Sequence, residues 1–174
     1  MSKPFVVCFA GVPGCGKSSV AHFLGITFRL PRFERDKIRN EIKADFNTTD
    51  INVPEALSEF NRVSRERYVE LIDAKVSYIL DSSVDRKWEE VKKEHEDRGY
   101  SFLLISFDMS RKWVARVYEN FHNEHQFNED GYFEEHAMFL DEHGVDIDLS
   151  ITDKTFSDRI KLSEQAMRDF LATI

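Results

Sequence analysis

The chain alternates short unbroken apolar runs with longer stretches in which apolar side chains return every three or four positions. Residues 4–10 are apolar throughout and predict a strand buried on both faces. Val20, Phe23, Leu24, Thr27 and Phe28 then recur at helical spacing, predicting a helix from Lys17 to about Arg29. A short strand at residues 31–34 leads into Asp36, and residues 36–45 read as a helix followed by a polar turn at 47–50. Pro54 suits the first turn of a long helix whose buried face is Leu57, Phe60, Val63, Leu71 and Ile72. Residues 76–80 predict a strand with Asp81 at its end. The stripe Trp88, Val91 and His95 predicts a helix over 85–98, stopped at Gly99. A strand at 100–107, helices at 110–121 and 132–142, a strand at 145–151 and a helix at 157–171 complete the pattern. Ile160, Ser163, Met167 and Phe170 are in phase on the last helix. No internal repeat, low-complexity stretch or linker interrupts the series.

Five strands alternating with helices imply an α/β fold: a parallel sheet wound on both faces, in three layers. At 174 residues the chain is expected to form a single domain over 1–174. Ligands in such sheets bind at the carboxyl ends of the strands. That rule brings the loop after strand one, Asp36 after strand two and Asp81 after strand three to one edge.

Composition narrows the partners. Apolar residues make 41% and charged residues 32%, ordinary values for a globular chain. No run of 18 apolar residues appears, so no membrane span is expected. The N-terminus enters a strand without a signal-peptide pattern, and Cys8 and Cys15 supply no disulfide framework, so a cytoplasmic location is expected. The net charge of −8 is uneven. Residues 117–153 hold eleven acids and no Lys or Arg, while the rest of the chain carries 24 bases against 21 acids. Basic residues gather at Arg29, Arg32, Arg35, Lys37, Arg39 and Lys43, and again at Arg62, Arg65 and Arg67. An acidic chain disfavours tight binding to long nucleic acid, because that affinity is mostly phosphate neutralisation.

Gly11-Val12-Pro13-Gly14-Cys15-Gly16-Lys17-Ser18 follows the first strand directly and reads G-x-x-x-x-G-K-[ST], the phosphate-binding P-loop. Gly11 and Gly16 let the backbone wrap closely so that successive N–H groups face a phosphate. The helix starting near Lys17 adds its positive end. Lys17 supplies a point charge for the β- and γ-phosphates, and the Ser18 hydroxyl is a Mg²⁺ ligand. ATP contacts are expected from Gly11, Pro13, Gly14, Cys15, Gly16, Lys17, Ser18 and Ser19. Cys15 lies beside a helix N-terminus, where a thiol pKa can fall. The plainer expectation is a small loop residue.

A P-loop alone indicates triphosphate binding. Phosphoryl transfer also needs in-line positioning, cations on the transferring oxygens and a group to take the acceptor proton. Asp36 is the candidate base, and N-capping of its helix is a compatible role. Arg39, three residues on, lies one turn away, where it can orient Asp36 or hold an anionic part of the acceptor; Arg35 is its neighbour on the acceptor side. Asp81 can serve Mg²⁺ through water or anchor the acceptor. Arg111 and Arg116 follow strand four, and Arg116 is the favoured arginine to close over the phosphates from a lid at about 110–143. His122, Asn123, Glu124 and His125 have a spacing seen at metal sites, but no third ligand stands at a defined spacing, and a polar mobile segment is the expected reading.

Gly11 to Ser18, Arg35-Asp36 with Arg39, Leu80-Asp81-Ser82-Ser83 before a charged helix, and an arginine-bearing helix from Ser110 together resemble the kinase domain of polynucleotide 5′-hydroxyl kinases. The same broad group holds zeta-toxin, chloramphenicol phosphotransferase, gluconate kinase and shikimate kinase types. The resemblance covers about residues 3–120 and implies a P-loop NTPase fold of the nucleoside/nucleotide-kinase kind with a small helical lid. It implies that Lys17 and Ser18 serve ATP·Mg²⁺, that Asp36 is the general base, that Arg39 and Asp81 manage the acceptor, and that Arg116 is the lid arginine. Lys37 stands where the polynucleotide kinase pattern has a second acid, and Ser83 where it has Asn. Both departures, with the acidic 117–153 segment, weigh against a polynucleotide acceptor. The expectation is therefore an ATP-dependent kinase acting on a hydroxyl of a small, anionic metabolite or nucleoside-type acceptor. A polynucleotide 5′-kinase and an ATP-binding regulator with little turnover are the alternatives.

Overall fold

The structure is a computed structural model that describes residues 3–121 and 129–174. Elements run β1 (Phe5–Ala10), α1 (Lys17–Thr27), β2 (Arg32–Phe33), α2 (Arg35–Asp45), α3 (Pro54–Asp73), β3 (Tyr78–Ser83), α4 (Trp88–Glu96), β4 (Ser101–Asp108), α5 (Arg111–Phe121), α6 (Glu129–His143), β5 (Leu149–Thr152) and α7 (Arg159–Leu171), with 3₁₀ turns at Gly144–Asp146 and Phe156–Asp158. The five strands form one parallel sheet in the order β2-β3-β1-β4-β5.

The alternation of β1 sorts the core into two halves. Val6, Cys8 and Ala10 point to one face and pack with Ile38, Ile42, Ala56, Phe60, Ile72, Trp88 and Val91 of α2, α3 and α4. Phe5, Val7 and Phe9 point to the other and pack with Val20, Ala21, Leu24, Val114 and Met167 of α1, α5 and α7. All six residues of β1 are buried, which is why the strand reads as an unbroken apolar run. The three-layer α/β arrangement expected from the pattern is the one observed. Helix α6 places Phe139 in the first half of the core.

Boundaries moved where side-chain burial and hydropathy part company. Val76 is exposed, and β3 begins at Tyr78 and runs on to Ser83, so Asp81 lies inside the strand rather than beyond it. The pairing of β1 with β3 shifts register between Val7 and Phe9, an irregularity beside the P-loop. Residues 144–146 turn as 3₁₀ helix with Val145 almost fully exposed, which shortens the last strand to Leu149–Thr152. On α3 the buried face is Ala56, Phe60, Ser64, Tyr68 and Ile72, an i, i+4 row that leaves Leu57 partly in solvent.

His95 is buried among Tyr68, Tyr78, Tyr100 and Phe102. Its Nδ1 lies 2.7 Å from the Val91 carbonyl and its Nε2 2.7 Å from the Tyr78 hydroxyl. Burial pushes its pKa below the ordinary histidine value, against the opposing pull of the Val91 carbonyl.

Candidate active site

The P-loop fills the turn between β1 and α1, at the carboxyl edge of the central strand. Lys17 Nζ donates to the carbonyls of Gly11 at 2.7 Å and Val12 at 2.6 Å, and lies 3.3 Å from Cys15 Sγ. The ammonium is thus held inside the curl of the loop. Ser19 Oγ donates to the Gly16 carbonyl at 2.7 Å, closing the first turn of α1. Cys15 is fully buried, and burial raises its thiol pKa more than the neighbouring Lys17 lowers it. The helix N-terminus therefore does not make it a reactive thiol, and packing is its role.

Ser18 Oγ donates to Asp81 Oδ1 at 3.0 Å, and Arg32 Nη1 meets Asp81 Oδ2 at 3.0 Å. The Asp81 side chain is only 7% exposed. Burial raises its pKa, while the Ser18 hydroxyl and the Arg32 charge oppose the rise. The pair offers two hard oxygen donors side by side. Mg²⁺ in nucleotide enzymes is held by one or two protein oxygens, with phosphates and water completing its shell, so this donor set fits it. Among the described residues no group of three or more His, Cys, Asp or Glu side chains gathers, so nothing there competes with the pair as a metal site. His122 and His125 lie outside the described residues.

Asp36 lies in the first turn of α2, whose N-cap is Glu34 and not Asp36, and is 85% exposed at its side chain, with Arg39 Nη1 2.5 Å from its Oδ1. The two expected partners therefore meet, but they do so at the rim. Arg32 is taken up by Asp81 and by Glu34 at 2.9 Å. Arg62 pairs with Glu59 and Glu66, Arg65 with Glu94, and Arg67 with Glu41. Most of the basic cluster legible in the sequence is thus paired with carboxylates, some one turn away and some on other elements. Arg35 differs. It has no carboxylate at ion-pair distance among the described residues, lies 5.1 Å over the Phe60 ring, and is half-buried. Burial and the charge of Arg39 lower its pKa, the mark of a guanidinium with too little counter-charge.

A cavity of about 440 Å³ opens beside the loop. Gly11, Val12 and Pro13 of the loop line it, together with Arg35 and Ser64 and with Asp85, Arg86 and Glu135. The Ser64 hydroxyl is buried and has no hydrogen-bond partner among the described residues. An unpartnered buried hydroxyl is costly unless something in the cavity completes it.

Arg116 is exposed on α5, the helix that leaves the carboxyl end of β4. Nearby, Trp113 packs on Phe156 with ring centroids 4.1 Å apart, Arg159 lies 4.0 Å over the same ring, and Arg159 Nε reaches Ser19 Oγ at 3.4 Å. Asp153 accepts from Ser110 at both its N–H, at 2.9 Å, and its hydroxyl, tying the turn after β5 to the start of α5.

Sequence reasoning missed Asp85. Its Oδ2 accepts the Gly11 N–H at 2.9 Å, and its Oδ1 lies 2.5 Å from His136 Nδ1 on α6. The available signal was weak: an acid four residues past Asp81 in a loop already known to face the site. Its partners are 74 and 51 residues away, and nothing local announces them.

No family model matches the chain, and no curated protein matches it either. Solved structures do. A protein assigned as a kinase from Chloroflexus aurantiacus superposes with a TM-score of 0.64 at 16% identity, over 99% of this chain and 98% of that one. The APS kinase of Mycobacterium tuberculosis, in a complex with AMPPNP and APS, gives 0.56 at 16% identity, covering 97% of this chain and 99% of its own. A gluconokinase of Sinorhizobium meliloti gives 0.57 at 15% identity, over 98% and 95%. Likeness at these identities speaks for the fold, which the chain shares with these kinase structures.

Proposed function

We propose that this chain is an ATP-dependent kinase that transfers the γ-phosphoryl group of ATP to a hydroxyl of a small, anionic acceptor. The observation that carries the reading is that one cavity is lined both by the first residues of the P-loop and by the half-buried Arg35. Donor and acceptor subsites then share a boundary, as in-line transfer requires. The kinase structures that share this fold support it.

In this reading Lys17 leaves its loop carbonyls for the β- and γ-phosphates, and the loop amides and the start of α1 face the same oxygens. Ser18 and Asp81 are the residues that would hold Mg²⁺, which neutralises phosphate charge when bound. Asp36 takes the acceptor hydroxyl proton as the new O–P bond forms and the bond to the leaving ADP oxygen breaks, with Arg39 orienting its carboxylate. Arg116 supplies positive charge to the transferring oxygens. Arg35 holds the acceptor anion, and Ser64 gives it a hydrogen bond.

A volume of about 440 Å³ accommodates a metabolite or a nucleoside-sized molecule and not a folded polymer. Labelled ATP with a panel of sugars, hydroxy acids, nucleosides, nucleotides and short 5′-hydroxyl oligonucleotides tests the reading. Transfer to a small anionic acceptor above the Asp36→Asn background supports it. Transfer to oligonucleotides alone, with steep salt dependence, moves the assignment to a polynucleotide kinase. No transfer across the panel, with ATP still bound, leaves the nucleotide-binding regulator.

A further inference from the structure

Asp85 and His136 form the most enclosed pairing of a carboxylate with a basic side chain in the described structure, with side chains 8% and 5% exposed, and the proposed chemistry does not use it. We infer that Asp85 is a positioning residue for the phosphate-binding loop and that His136 on α6 holds it there, so that nucleotide binding and the docking of α6 depend on each other. The inference rests on the nucleotide-binding reading above.

Gly11 is pinned from both sides. Its N–H donates to Asp85 Oδ2 at 2.9 Å, and its carbonyl accepts Lys17 Nζ at 2.7 Å. Its φ of +132° is one that L side chains rarely adopt, and a Cβ there would lie 2.8 Å from the Phe107 carbonyl oxygen of β4. The first peptide of the loop therefore has no slack against the sheet. Asp85 thus anchors the peptide plane that enters Gly11, and Lys17 holds the plane that leaves it.

Asp85 is not spent on its own helix. The N-cap of α4 is Lys87, with no side-chain cap bond, and the Asp85 oxygens accept instead from Gly11, from the Ser83 hydroxyl and from His136. Burial alone would raise its pKa. The three donors outweigh burial and hold it below the ordinary carboxylate value. An ionised Asp85 makes His136 Nδ1 the donor across 2.5 Å. His136 Nε2 is buried and has no partner among the described residues, and the ring stacks on Phe139. Beside this contact, Arg86 Nε meets Glu135 Oε2 at 2.5 Å. Two consecutive residues of the β3–α4 turn thus meet two consecutive residues of α6, and the inner pair reaches on to the loop.

The physical consequence is reciprocal coupling. Releasing His136 frees the Asp85 carboxylate to turn from Gly11, which loosens the amide that opens the phosphate-binding loop. A filled loop in turn fixes Asp85 and holds α6.

The test titrates a fluorescent ATP analogue with Mg²⁺ into the full chain and its variants, with Lys17→Ala as the loop control. Asp85→Ala and His136→Phe are expected to weaken binding about tenfold, the scale of one charge-assisted hydrogen bond. His136→Asn, which restores a donor near the Nδ1 position, is expected to recover most of the loss at similar thermal stability. Imidazole ¹⁵N shifts of the unmodified protein are expected to show His136 with its proton on Nδ1, and Asp85→Asn to move it toward Nε2. Hydrogen exchange on α6 is expected to slow when the analogue binds. Wild-type binding with Asp85→Ala and His136→Phe within twofold of it, or an Nε2–H tautomer in the unmodified protein, overturns this inference alone. Failure of the wild type to bind the analogue overturns the nucleotide reading together with it.

Discussion

Ser18 on the first turn of α1 donates a 3.0 Å hydrogen bond to Asp81 on β3, across 63 residues of sequence. The bond ties the P-loop helix to β3 and sets two oxygen donors side by side, which in the proposed reading hold the cation. Asp81→Asn keeps the shape and one acceptor oxygen but loses the charge that a divalent cation needs. Nucleotide affinity measured against Mg²⁺ concentration is expected to shift to about tenfold higher Mg²⁺ or more, with little change in metal-free binding. An unchanged Mg²⁺ midpoint would separate Asp81 from the metal.

Gly16 and Gly99 separate backbone strain from crowding. Gly16 has φ +98°, and a Cβ there would lie 2.9 Å from Phe156 Cε2, a ring pinned by Trp113 and Arg159. Gly99 has φ +81° with nothing within 4 Å of its Cβ position. Gly99→Ala is expected to cost about 1 kcal/mol for the left-handed conformation alone. Gly16→Ala is expected to cost about 2–4 kcal/mol, because strain and displacement of a packed ring add. Urea midpoints of the two variants check the order; equal costs would mean that Phe156 yields freely.

Arg35 is the half-buried guanidinium of the cavity beside the P-loop, without a carboxylate partner among the described residues. Arg35→Ala is expected to raise KM for the anionic acceptor by about ten- to a hundredfold, the value of one charge-assisted contact, with kcat within about threefold. Steady-state kinetics on the acceptor found by the panel provides the check. A loss confined to kcat would give Arg35 a role in the transition state instead.

His95 sets a pH limit on the fold. Burial keeps its folded-state pKa below the ordinary value, whereas the unfolded chain binds the proton near pH 6.5. The unfolded state then carries the extra proton, so the contribution of this group is complete above about pH 6.5 and is lost as pH falls below it. The slope from this one site is at most about 1.4 kcal/mol per pH unit. Chemical denaturation at pH 5.5 and 7.5 is expected to show a smaller difference in His95→Gln than in the wild type. Equal differences would remove His95 as the titrating group.

Several features of the site were legible because they are local. Gly11 to Ser18 are contiguous, and a loop that must wrap a phosphate requires those residue types at that spacing whatever surrounds it. Asp36 and Arg39 are one helical turn apart, and the structure joins them at 2.5 Å. The anionic-acceptor hint in the basic cluster was legible only in part. Arg32 and Arg65 are as basic in sequence as Arg35, but folding places Asp81 and Glu94 against them and leaves Arg35 to the cavity. Ser64 gave no signal, since a serine on an apolar helix face becomes informative only once its hydroxyl is known to lack a partner.

The sequence by itself determined the alternation of strand and helix, the three-layer architecture and the phosphate-binding turn, because hydrophobic period and glycine spacing act over neighbouring residues. Tertiary structure decided which charges are spent and which stay available, where β3 ends, and what orients the P-loop. The Gly11–Asp85–His136 connection draws on three segments, residues 11, 85 and 136, whose side chains meet only after β1 and β3 pair and α6 docks. Hydrogen bonds and ion pairs act over a few ångströms of space, and no periodicity along the chain encodes which distant partner will fill that space.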